Sequence, residues 1–426
     1  MRQAGYKSLI TARVISMALT YGIGTFFFTA TSAFATEYSL DQTLAFAEKY
    51  SAALSANNHE IHALHNQADS AMQLPDPKLR FGIDNVPVEG PNNGRFTRNE
   101  MTMERVGFMQ DYISRKKRAR QSDSFLAQAR QTESDNDVIR GRIQREAAQA
   151  WLDLALSEKI LKSAENLVAE TTKQIDLQKV GVATGRTLAS DVLDIKITLS
   201  AMQDKVTNAE RDMLIAKARL AELTGKDIDS IAGALPSFNH LPSNERTLAY
   251  GVSHHPEIIE ANRTADVAKA RSAQSAVAAI PDVGVELYYA KRNGYEDMAG
   301  IMFTVGLPIL QSHRQDKDHE ADLARMMAAN DQITLLMRDH TAQIHTLVAE
   351  YNAAYARWKR QTDEILPLQH QKVTLMEAQF QAGKSNLSAI LEARRQLLDS
   401  EIEAGNAEKD VAKIWAAIRY LIPQDI

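Results

Sequence analysis

Residues 188–223 read LASDVLDIKITLSAMQDKVTNAERDMLIAKARLAEL. Leu188, Val192, Ile195, Leu199, Met202, Val206, Ala209, Met213, Ala216, Leu220 and Leu223 alternate spacings of four and three through this stretch. A seven-residue apolar repeat held over about five heptads is the mark of helices that supercoil around one another. Upstream, Ile143, Ala147, Ala150, Leu154, Ser157, Leu161, Ala164, Val168, Thr171 and Ile175 keep the same rhythm, with small and polar members mixed in. A helix of roughly 60 to 70 residues from Ser114 onward reaches on the order of 100 Å. Residues 179–185, with Gly181 and Gly185, read as the tip where one helix reverses into the next.

Moving outward, the apolar period changes from helical to two. Leu79, Phe81 and Ile83 alternate with Arg80, Gly82 and Asp84; Val283, Val285 and Leu287 alternate with Gly284, Glu286 and Tyr288; Ile301, Phe303 and Val305 alternate with Met302, Thr304 and Gly306. These strands are of about the length that crosses a membrane in a tilted barrel. Their hairpins are expected at about 78–110 and 282–308, the second turning over residues 291–299 with Asn293-Gly294. Helices are expected before each hairpin, over 39–72 with Ser39 as N-cap and over 243–279. Pro367 marks a kink or break late in the chain.

The pattern is written twice. Thr43-Leu44-Ala45 recurs as Thr247-Leu248-Ala249, Pro77 meets Pro281, Val106-Gly107-Phe108 meets Val305-Gly306-Leu307, and Gly185-Arg186-Thr187 meets Gly383-Lys384-Ser385. The order and near-constant offset indicate a duplication over 36–235 and 236–426, linked through the segment holding Pro236 and Pro242. The expected fold class is mainly α with a small β part: a duplicated repeat of long coiled-coil helices with four strands per chain. Four strands cannot close a membrane barrel, so membrane insertion implies an oligomer.

Composition agrees. The 426 residues include 19 Gly and 11 Pro, with 6% aromatics, too few for a turn-rich all-β chain. Zero cysteine excludes thiolate catalysis, Cys-ligated metals, disulfides and a Cys-linked lipid. A formal charge of -5 argues against a nucleic-acid partner. Residues 1–35 read as a cleaved signal peptide: Arg2, Lys7 and Arg13, then a largely apolar run, then Ala33-Phe34-Ala35. The expected product is an exported protein without lipidation.

The duplicated helix–hairpin–long-helix unit, the leader and the tip Gly185-Arg186-Thr187-Leu188-Ala189-Ser190-Asp191-Val192-Leu193-Asp194 together resemble the TolC family of outer-membrane efflux channels. Residues 74–79, 82–87 and 101–110 are similar to the branch that serves heavy-metal RND efflux systems. The resemblance implies a homotrimer in outer-membrane lipid, with a twelve-stranded β-barrel continuing into a periplasmic α-barrel. It further implies docking on a periplasmic adaptor (membrane fusion) protein and an inner-membrane RND pump, with heavy-metal cations as cargo. Multidrug efflux and type I secretion are alternative duties of the same duct, and a pore-free periplasmic coiled-coil adaptor is the alternative of another class. Two departures stand out. Pro308 precedes the second long helix, but Asp111-Tyr112-Ile113-Ser114 holds no proline, and the tip pair Asp191 and Asp194 becomes Ala389 and Glu392.

Asp191, Asp194 and Glu392 are the candidates for rings of carboxylates at the aperture. Gly185, Arg186, Thr187, Gly383, Lys384 and Ser385 are the candidates for adaptor docking. Arg115-Lys116-Lys117-Arg118, with Arg120, is a candidate for anionic headgroups. His59, His62 and His65 read as surface residues, and Met103, Met109 and Met302 as packing residues. No catalytic constellation, resident metal or cofactor is expected.

Overall fold

The computed structural model describes residues 37–182, 189–228 and 230–422. The leader therefore lies outside the described residues, as do Leu188 and the turn residues Gly185, Arg186 and Thr187.

The chain begins with a two-residue strand β1 (Glu37–Tyr38). Ser39 then starts α1 (Leu40–Lys49) with a reciprocal capping box: Ser39 Oγ accepts from the Gln42 backbone at 3.3 Å, and Gln42 Oε1 accepts from the Ser39 backbone at 3.0 Å. The expected single helix over 39–72 is in fact two. Ser51 turns its hydroxyl to the Leu54 N–H at 3.2 Å and caps a new helix, α2 (Ala52–Ala71). A serine that offers the backbone a local partner ends one helix as readily as it begins the next.

Strands β2 (Lys78–Asp84) and β3 (Met103–Tyr112) follow, then α3 (Arg115–Val182), whose 68 residues meet the expected reach. It runs through 179–182, which were expected to be loop. After the tip comes α4 (Ala189–Thr224), then β4 (Ser230–Ile231), which pairs in parallel with β1. The second run of helix before a hairpin is also split, into α5 (Glu245–Gly251), a tight turn over Val252–His254, and α6 (Pro256–Ser275). Pro256 disfavours helical backbone at His255, which instead caps α6 from an extended conformation.

Strands β5 (Val283–Arg292) and β6 (Met298–Val305) form the second hairpin, with a turn shorter than expected. The remaining helices are α7 (Gln315–Arg360), α8 (Leu366–Gln381) and α9 (Leu387–Arg419). At Pro367 the helical path widens without breaking. A π-turn at Gln361–Ile365 joins α7 to α8 and accommodates the ring that would clash with the Asp363 carbonyl.

The heptad positions form the seam. Ile195, Met202, Ala209, Ala216 and Leu220 of α4 are buried, as are Ala147, Ala150, Leu154, Ala164 and Val168 of α3. One apolar cluster holds Leu44, Trp151, Leu154, Leu220, Tyr351 and Val411, bringing α1, α3, α4, α7 and α9 together. A second, toward the tips, holds Leu167, Met202, Val373 and Leu397. A third, at Ile175, Ile195 and Leu391, is nearest the turns.

Candidate membrane sheet and aperture

The two hairpins merge into one antiparallel sheet in the order β2-β3-β5-β6. Residues directly opposite one another share a face, so the register sorts every side chain. One row runs Leu79, Phe108, Leu287, Ile301; the next runs Phe81, Val106, Tyr289, Ala299. All nine apolar strand positions named from sequence fall on this face. Phe81 is 81% and Phe303 67% exposed, a surface of large apolar side chains that water would not leave uncovered in a soluble monomer. Tyr112 lies toward the helical end and Tyr289 toward the far turn, the placement of an interfacial aromatic girdle.

The opposite face is charged and small. Arg80 donates to the buried Glu286 at 2.9 Å, Lys78 pairs with Asp111 at 2.7 Å, and Arg105 pairs with Asp84 at 3.2 Å. Arg105 also lies over the Tyr288 ring at 5.2 Å. Tyr288 sits between Gly107 and Gly300 in the register, and its ring lies across Gly300, where a Cβ would come within 2.5 Å of it. Met103, Met109 and Met302 share this face with Met298.

The missing proline has a visible consequence. In β6 the ladder is continued by one bond, Gly306 N–H to Asp282 at 3.0 Å, and Pro308 follows. In β3 no proline intervenes, so the strand runs to Tyr112 and passes directly into α3, with the Ser114 hydroxyl accepting from Lys117 N–H at 3.3 Å. The basic run is largely committed at this junction. Lys117 pairs with Asp282 at 2.8 Å, Arg118 donates to the Ile113 and Met72 carbonyls, and Arg120 pairs with Asp123 at 3.3 Å. Arg115, Lys116 and Arg120 stand exposed, while Lys117 and Arg118 are half-buried in contacts of the protein itself.

At the tips, Gly383 has φ +70°, the left-handed turn that glycine adopts without strain, and Lys384 beside it is exposed. Asn386 then caps α9 by accepting from Ala389 N–H at 3.0 Å. Asp194 is exposed on α4, and the Asp191 side chain lies outside what is described. Glu392 is held by its neighbours. The Arg395 fork donates to both its oxygens, at 2.9 and 2.6 Å, and Gln396 donates at 2.8 Å. These bonds from Arg395 above all hold the Glu392 carboxyl down to about 2. Arg395 also reaches Asp399 at 3.0 Å.

Two features were not legible in the sequence. Arg394, nearly buried, ties α9 to Glu377 of α8 at 2.6 Å and to Thr171 of α3 at 3.3 Å. His255, Glu257 and His340 meet where α6 begins against α7, the two rings 4.0 Å apart. Burial, then the neighbouring His340, lowers the His255 pKa to about 4, leaving it neutral. His59, His62 and His65 are exposed on α2, as read from sequence.

No helix among the described residues is long and apolar enough to cross a membrane; the membrane-facing candidate is the sheet. The architecture, very long paired helices continuous with four antiparallel strands, is that of bacterial outer-membrane channels. The chain superposes on the outer membrane protein VceC of Vibrio cholerae with a TM-score of 0.67 at 17% identity, over 90% of this chain and 95% of that one. It superposes on a membrane protein from Pseudomonas aeruginosa with a TM-score of 0.67 at 15% identity, over 91% and 93%. For CusC, a protein that forms a transmembrane channel, the TM-score is 0.65 at 14% identity, over 91% and 93%. At these identities the likeness is one of fold. No family model and no curated protein matches the sequence.

Proposed function

We propose that three copies of this chain form an outer-membrane channel, the exit duct of a tripartite efflux system. The observation that carries this reading is the sheet, with one exposed apolar face, one charged face and two open edges. Its strands alternate in direction, so β6 of one copy meets β2 of the next in antiparallel sense, and identical copies can close a ring without a free edge. Three copies give twelve strands, within the range of membrane barrels. Leu193, Ile197, Leu214 and Ile215 on α4, with Met327 and Leu335 on α7, are exposed in the single chain and suit helix packing between neighbours.

In this reading 36–235 and 236–426 are the two halves of each protomer's share of the wall. The tips, Gly185, Arg186 and Thr187 with Gly383, Lys384 and Ser385, meet a periplasmic adaptor, and an inner-membrane RND pump supplies the energy. Heavy-metal cations are the cargo favoured by the hairpin sequences at 74–79, 82–87 and 101–110. Asp191, Asp194 and Glu392 ring the aperture, but each Glu392 carries its own Arg395, so the local field is set by the pair and by Asp399.

The test is conductance of the purified protein in planar bilayers under a salt gradient. Wild type should open discrete channels. Glu392→Ala should shift the reversal potential toward anions, because Arg395 is then left with Asp399 alone. An unmoved reversal potential would remove Glu392 from the aperture, and absence of conductance would remove the channel.

A further inference from the structure

We propose that His255, Glu257 and His340 form a binding site for a divalent transition-metal ion, of which zinc is the reference case, clipping the start of α6 to α7. The inference goes beyond the transport reading: the ion would be resident in the wall, whatever passes through the duct.

The three side chains each offer a ligand atom, and these atoms lie within 4.8 Å of one another. Both histidines are buried, at 7% and 5% exposure, which is unusual for two imidazoles packed ring against ring unless something satisfies them. His340 Nε2 is the telling atom. It lies 3.0 Å from Glu257 Oε2, yet the two are not aligned for a hydrogen bond, and Nε2 has no hydrogen-bond partner. A zinc ion with bonds of about 2.0–2.2 Å holds its tetrahedral ligands about 3.3 Å apart. The nitrogen and oxygen thus stand near the separation that a shared ion imposes.

His255 Nδ1 caps α6 through one long bond, accepting from the Glu257 N–H at 3.3 Å. An ion taking that single lone pair would exchange this weak cap for a coordinate bond. The Glu257 carboxylate brings the negative charge, offsetting Arg145, whose positive charge is felt at His255. Glu257 is about half exposed, which gives an ion its way in and leaves room for a water as fourth ligand. Ile344 and Val348, further along α7, and Leu421 form the apolar wall beside it.

The experiment uses tag-free, chelator-treated full-length protein in detergent, titrated with Zn²⁺ and read by equilibrium dialysis with elemental analysis. Wild type should bind one ion per chain, with a higher unfolding midpoint when loaded. Loss of even a supporting partner costs about 10–100-fold in metal affinity, so His340→Ala and Glu257→Gln should each weaken binding by about 100-fold. Glu257→Gln changes a half-exposed, near-isosteric side chain, so it keeps the test valid if His340→Ala fails to fold. The exposed His59, His62 and His65 remain in both variants as an internal control. Equal zinc binding by wild type and Glu257→Gln, or no zinc retained by wild type, would overturn the proposal.

Discussion

Replacing Leu287 by arginine is expected to keep the protein out of the outer membrane. Leu287 lies midway along β5 with Phe108 on one side and Ile301 on the other, and its side chain is 54% exposed on the apolar face. A cationic side chain facing lipid near the bilayer midplane costs about 2–4 kcal/mol. In the proposed trimer the cost falls on each of three copies, about 6–12 kcal/mol for the assembly, comparable with the whole stability of a typical domain. Met302→Lys is the matched control. It adds the same charge to the adjacent residue of β6's opposite face, directly across from Glu286, where a lysine gains a partner. Membrane fractionation should find Leu287→Arg in aggregates or the soluble periplasm, and Met302→Lys in the outer membrane. Normal insertion of Leu287→Arg would mean this face does not meet lipid.

The second large effect is expected at Trp151. This side chain is 1% exposed at the centre of the main apolar cluster, and its indole N–H donates to the Tyr38 carbonyl at 3.0 Å. It therefore joins the middle of the longest helix to β1, and through β1 to β4. Truncating a buried tryptophan to alanine costs about 3–5 kcal/mol, because the surrounding helices relax only partly into the cavity. Trp151→Phe keeps most of the volume and loses one hydrogen bond, about 1 kcal/mol, while the Tyr38 carbonyl keeps its bond from the Ala232 N–H at 3.1 Å. Denaturant unfolding in detergent should rank the variants in that order. Equal stability of all three would place the core elsewhere.

What was legible in the chain follows from how far apart the deciding residues lie. The seam of α3 and α4 was readable because each heptad position is three or four residues from the next, and every buried apolar residue of α4 falls on that spacing. Strand faces were readable for the same reason, with a period of two. The sheet order was not, since β3 meets β5 through residues about 180 apart, as in Phe108 opposite Leu287. Helix breaks at Ser51 and Pro256 turn on local competition for backbone hydrogen bonds, which a long amphipathic pattern hides. The π-turn is a similar case: Pro367 announced a disturbance, but whether a helix breaks or widens depends on the helices packed around it. Glu392 is legible from its place in the repeat, and its pairing with Arg395 follows the i,i+3 spacing on the same helix. The cluster of His255, Glu257 and His340 had no sequence signal, because α6 and α7 supply its members from either side of a hairpin.

In the proposed channel, four strands with two open edges close into a barrel only through copies of the same chain. Light scattering of the purified protein in mild detergent, with the detergent contribution subtracted, measures this directly. A single species of three times the protomer mass is expected; a monodisperse monomer that still inserts into membranes would rule the shared barrel out.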